Sequence, residues 1–100
     1  MKIFGMFKGM IYGDCGEDFE AYKKYKNEVD KSAVIKHIES LRPAIAPAEN
    51  KDIFTGKRIA AGMYDDGEYR FPTDFLHYYK NYNIGIPYDY EEYLKSINAV

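Results

Sequence analysis

A single cysteine, Cys15, leaves this 100-residue chain unable to close an internal disulfide and fits a reducing compartment. Charge of neither sign predominates. Fourteen Lys and Arg stand against sixteen Asp and Glu, a formal −2, which supplies no global field to draw nucleic acid or anionic membrane. Long apolar runs are missing too: the stretch at 3–12 is interrupted by Lys8 and is too short to span a bilayer. Asp14 stands just before Cys15, where a lipoprotein-type cleavage site wants a small residue, so no targeting signal is legible and a cytoplasmic location is expected. The sequence has no internal repeat and no low-complexity run, and its length fits one domain over residues 1–100.

Chemistry-bearing motifs are equally sparse. The segment Asp52-Ile53-Phe54-Thr55-Gly56-Lys57 has a Thr-Gly pair but lacks the Gly-x-x-x-x-Gly-Lys-Ser/Thr of a phosphate loop; it reads as a turn in which Asp52 or Thr55 bonds local amides. His37 and His77 have no close-spaced partner that would make a zinc signature. Asp65-Asp66-Gly67-Glu68 lacks the ligand alternation of a calcium loop. Cys15 sits beside Asp14 and Glu17, which raise a thiol pKa, and no base is tied to it by sequence, so it reads as an inert thiol. Neither a catalytic residue, a metal nor a cofactor is expected. If a small-ligand or enzyme pocket exists, its best candidates are His77 with Asp74 and Tyr78.

The patterning that is present predicts an α+β fold: a small, mainly antiparallel sheet with about four helices packed on one face. Residues 2–12 read as a buried strand, because Gly5 and Gly9 would each weaken a helix by about 1 kcal/mol. A helix is predicted over 17–28, with Phe19, Tyr22 and Val29 on its apolar stripe and Glu20 paired to Lys24. A second, capped by Ser32, runs over 32–41 on Val34, Ile38 and Leu41. Residues 43–50 form a short edge strand or a packed loop. A hairpin follows, 58–65 and 68–71, turned by Asp66-Gly67, with Ile59, Ala61 and Met63 on one face of its first strand and Arg58, Ala60 and Tyr64 on the other. Thr73 caps a third helix to about residue 82, and Asp89 with Glu92 makes a capping box for a last one.

Eight of the eleven tyrosines fall within 64–93, among seven acids opposed only by Arg70 and Lys80, a local formal charge of −5. That charge argues against aromatic stacking on single-stranded nucleic acid, which needs a basic groove. Tyr79, Tyr82, Tyr90 and Tyr93 occupy core-facing helix positions, leaving Tyr64, Tyr69, Tyr78 and Tyr88 as the rings expected at the surface. A partner surface is therefore predicted from Tyr64, Asp65, Asp66, Glu68, Tyr69, Tyr88, Asp89 and Glu91, with acids steering a basic protein partner and rings supplying contact energy. Self-association through the same rings is a variant.

The second half resembles a set of small, uncharacterised bacterial proteins often met near mobile or toxin-related genes. The resemblance covers roughly residues 50–97 and rests on Asp52-x-x-Thr55-Gly56, on Tyr64-Asp65-Asp66-Gly67-Glu68-Tyr69, on Tyr78-Tyr79, and on Tyr82-x-Ile84-x-Ile86-Pro87. It carries no assigned activity and implies a cytoplasmic accessory or immunity-like role.

Overall fold

A computed structural model describes residues 2–9 and 16–100, and of 46–49 the backbone alone. In chain order the elements are β1 (Lys2–Ile3), α1 (Phe19–Tyr22), α2 (Lys31–Glu39), β2 (Ala44–Lys51), β3 (Arg58–Asp66), β4 (Tyr69–Pro72), α3 (Thr73–Asn81) and α4 (Tyr88–Ser96). The four strands form one mixed sheet in the order β1-β4-β3-β2. The pairings β2–β3 and β3–β4 are antiparallel, and β1 joins β4 in parallel. The α+β class with a mainly antiparallel sheet holds, and the parallel β1–β4 pairing makes the sheet mixed.

In the hairpin, Tyr64 lies opposite Phe71 and Asp66 opposite Tyr69, all four buried, while the exposed Asp65 pairs with Arg70 on the other face. Tyr64 thus belongs to the core face, not with Arg58 and Ala60 as its position suggested. The burial pattern changes phase at Ala61 and Gly62, which are both buried. A Cβ on Gly62 would stand 2.6 Å from the Ala44 carbonyl oxygen, so only glycine lets β2 approach this closely. The hairpin turn is Gly67-Glu68, one residue later than predicted. Its φ of +62° falls on Gly67, where a positive φ costs least.

The predicted strand at 2–12 is shorter. Among its described residues only Lys2–Ile3 is strand, and Phe7 makes an isolated bridge to Glu17. Residues 10–12 of that prediction, with Asp14 and Cys15, lie outside the described residues.

The helix predicted over 17–28 is a single turn, because tertiary partners outbid its backbone bonds. Tyr22 O, which would accept Lys26 N–H in a continued helix, accepts Gly85 N–H at 2.9 Å, and Lys26 N–H donates to the Tyr88 hydroxyl at 3.0 Å. Glu20 accordingly pairs with Lys23, not Lys24. Further along, the Asn27 amide bonds both backbone groups of Ile86, at 2.9 and 3.0 Å. The Glu91 carboxylate accepts Glu28 N–H at 2.7 Å and Val29 N–H at 3.2 Å.

Three caps also differ from expectation. Asp30, not Ser32, precedes α2; Pro72 precedes α3, and the Thr73 hydroxyl donates to Ala60 O instead; Pro87 precedes α4, while Glu92 meets Lys95.

Helices cover one face of the β3–β4 hairpin through a continuous aromatic core. Phe4 stacks on Phe71 at 4.8 Å, Phe71 meets Phe75 edge-on at 5.9 Å and Tyr90 at 5.5 Å, and Phe7 sits edge-on to Tyr22 at 4.9 Å. Edge-to-face pairs at these distances each add about 0.5–1.5 kcal/mol beyond area burial.

Candidate functional site

The turn joining β2 to β3 closes on Asp52. Asp52 N–H donates to Lys57 O at 2.8 Å, and Asp52 Oδ1 accepts the amides of Phe54 and Thr55 at 2.7 and 3.1 Å. This is the local job predicted for Asp52. The second carboxylate oxygen does something the sequence did not indicate: Oδ2 accepts His77 Nε2–H at 2.7 Å and the Tyr82 hydroxyl at 2.9 Å. Asp52 is 3% exposed. Burial alone would raise its pKa, but the bonds from His77, the Phe54 amide, Tyr82 and the Thr55 amide outweigh that and hold it down to about 2. A permanent carboxylate therefore fixes the imidazole orientation and keeps the hydrogen on Nε2, leaving Nδ1 beside the Asn81 side chain at 3.4 Å.

His77 lines a cleft of about 330 Å³ between α3 and the β2–β3 pair. Its walls include Ile45, Ile59, Tyr64 and Leu76; its polar groups include His77, Lys80 and Asn81. Ile45 is 64% exposed at this cleft. Lys80 is held by Glu39 at 3.4 Å on the surface.

Of the predicted pocket residues only His77 reaches this cleft. Asp74 is fully buried behind it, where Oδ2 accepts the Asn50 side-chain amide at 2.7 Å. Burial pushes the Asp74 carboxyl above its ordinary range, against opposing bonds from its own backbone and from Asn50. Tyr78, expected at the surface, is buried; its hydroxyl accepts Ile53 N–H at 2.9 Å, and burial pushes its pKa up to about 12. The carboxylate partner of His77 is Asp52, 25 residues upstream, and the phenol that shares Asp52 Oδ2 is Tyr82, while the Tyr78 ring packs edge-on to the imidazole at 5.3 Å. The signal available for Asp52 was its place in Asp52-x-x-Thr55-Gly56, which identifies a turn but not a second oxygen aimed at a helix.

The predicted partner surface divides. Tyr64, Asp66, Tyr69 and Glu91 are buried, whereas Asp65, Glu68, Tyr88 and Asp89 are exposed. Asp66 is an interior acceptor: Oδ2 takes the Tyr90 hydroxyl at 2.7 Å and His37 Nε2–H at 2.9 Å. Burial, then the bond to Asp66, drives the Tyr90 phenol far above its usual pKa. Glu91 is committed to the 27–29 backbone. The hairpin tip and the start of α4 do lie side by side, since the Tyr69 hydroxyl donates to Asp89 O at 3.2 Å. Charge there is largely answered locally: Asp65 accepts Arg70 at 2.6 Å, and Lys2 reaches Asp89 at 3.6 Å.

Among the described residues no group of three or more His, Cys, Asp or Glu converges as metal ligands would, and no helix is long and apolar enough to cross a membrane. No family model matches the chain, and neither a curated protein nor a solved structure matches it.

Proposed function

We propose that this chain is a small, non-enzymatic binding protein whose principal site is the α3 cleft. The observation that carries this reading is His77, locked by a buried carboxylate in a groove whose other walls are largely apolar. Small-molecule sites combine apolar walls with a few fixed polar groups, and about 330 Å³ falls at the lower end of their usual range. The ligand is compact and apolar, with one polar group that meets His77 Nδ1 or Asn81. The test is a fragment screen followed by amide NMR shifts. Apolar fragments with a hydrogen-bonding head are expected to move the resonances of Ile59, Leu76 and Asn81 together, and Ala60→Trp is expected to abolish the effect. Fragments that shift only residues outside the cleft would remove this reading.

A second reading keeps a protein partner, on a smaller footprint. The Tyr69–Asp89 bond brings the hairpin beside the start of α4, and in these two segments Asp65, Glu68, Tyr88 and Asp89 are exposed, Tyr88 by 50%. These residues suit a basic partner in an immunity- or inhibitor-like role in the cytoplasm, or a second copy of the chain. Unchanged recovery of every co-purifying protein by a Tyr88→Ala, Asp89→Ala double variant would sink it.

A further inference from the structure

A second cleft, of about 260 Å³, lies where the non-helical 23–30 segment and the start of α2 meet the loop after α3. Its lining includes Lys23, Lys26, Lys31, Tyr79 and Asn83 and no Asp or Glu. Lys31, the first residue of α2, is only partly exposed. Its ammonium lies 4.6 Å over the Tyr79 ring and donates to Tyr82 O at 3.0 Å. Burial lowers its pKa, with no carboxylate acting on it. Half-buried ammonium groups ordinarily have a counter-charge, and among the described residues Lys31 has no ion-pair partner. The nearby acids are engaged elsewhere: Glu91 by the 27–29 segment, Asp30 by the Ser32 hydroxyl, Glu20 by Lys23.

Tyr79 supplies an independent observation. It lines the same cleft, and its hydroxyl oxygen, which makes no hydrogen bond among the described residues, is open to the solvent there. Burial pushes its pKa up to about 12, so it remains a donor at neutral pH. The Asn83 side chain likewise makes no hydrogen bond among the described residues.

From this juxtaposition we infer that the cleft binds a phosphate group, either inorganic phosphate or the phosphate of a small monoester. A donor set with two ammonium groups that have no carboxylate partner among the described residues, Lys26 and Lys31, beside the Tyr79 hydroxyl and the Asn83 amide, suits a multiply charged anion with several acceptor oxygens, whereas a monocarboxylate would leave much of it unanswered. Lys31 and the Tyr79 hydroxyl would meet the oxygens from the floor, and Lys26 and Asn83 from the rim. The aromatic and apolar remainder of the lining leaves room for a small organic group. This site is separate from the α3 cleft and does not depend on it.

The test is titration at low ionic strength with inorganic phosphate, glycerol phosphate and acetate, followed by calorimetry and amide NMR shifts. Both phosphates are expected to move the resonances of Lys26, Lys31 and Asn83, with acetate much weaker and affinity falling as salt is added. Tighter glycerol phosphate assigns a monoester; equal or tighter inorganic phosphate assigns the free ion. Lys31→Met is expected to weaken binding at least about tenfold. The exposed-rim variant Lys26→Glu, which leaves the core untouched, should also weaken it, keeping the test valid if Lys31→Met fails to fold. Acetate binding as tightly as phosphate, or affinity within twofold of the parent in Lys26→Glu and in a folded Lys31→Met, would overturn the assignment.

Discussion

Asp74, within α3, and Asp52, which bonds the same helix through His77, are tuned in opposite directions. Asp52 collects two backbone amides, an imidazole and a phenol, and its pKa is depressed to about 2. A depressed carboxylate contributes stability that is complete above its ordinary value of 3.8 and is lost as pH falls toward 2. Asp52→Ala is therefore expected to cost roughly 3 kcal/mol at pH 7, by orphaning several donors, and to flatten the acid limb of the stability profile in urea denaturation. Asp74 is the reverse case. Its Oδ1 and Asn50 Oδ1 are both buried without a partner. A proton on Asp74 Oδ1 would give the carboxyl a donor to offer Asn50, in keeping with its raised pKa. Stability from that arrangement is present below the ordinary carboxylate pKa and is lost as pH rises through the elevated one. Asp74→Asn keeps a donor without the charge, so it should exceed the parent in stability at pH 8, with the advantage shrinking by pH 4. A pH-independent difference in urea midpoint would contradict this.

At the scale of elements, the decisive event is the unwinding after α1. Residues 23–29 carry the helical signals of a lysine-rich C-terminal turn, yet Glu91, Asn27 and Gly85 bind the segment as an extended connection. A Cβ on Gly85 would stand 2.5 Å from Asn27 Oδ1 and 2.7 Å from Tyr25 Cβ. Gly85→Ala should thus cost about 1–3 kcal/mol by overpacking. Glu91→Ala leaves the amides of Glu28 and Val29 without their acceptor and should cost a similar amount. Hydrogen exchange should accelerate at those two amides in Glu91→Ala before it does in β3; uniform acceleration would show that the tie is not local. The elements outside this segment were more legible. Val34 and Ile38 marked α2, Gly67 placed the hairpin to within a residue, and Pro72 and Pro87 bounded α3 and α4. Caps were less legible, since Ser32, Thr73 and Asp89 compete for several hydrogen-bonding roles that differ little in local energy.

Across the whole molecule, the aromatic rings form one cluster that joins the N-terminal segment to both C-terminal helices. Phe71 is fully buried and touches Phe4, Tyr64, Phe75 and Tyr90. Phe71→Ala should cost about 3–5 kcal/mol, a large part of the roughly 5–15 kcal/mol available to a domain. Loss of near-ultraviolet circular dichroism at 25 °C, or a steep fall in melting temperature, is the expected reading. The sequence by itself determined the α+β class, the hairpin and the general apolar stripes, because those depend on short-range periodicity and turn chemistry. Only the tertiary structure decided which tyrosines and acids lie inside. It turned Tyr64, Tyr69, Asp66 and Glu91 inward, and it matched Asp52 with His77 and Asp66 with His37. A buried carboxylate is stable only beside donors, and the side-chain donors to these carboxylates come from segments 24 to 64 residues away, beyond the reach of any local pattern.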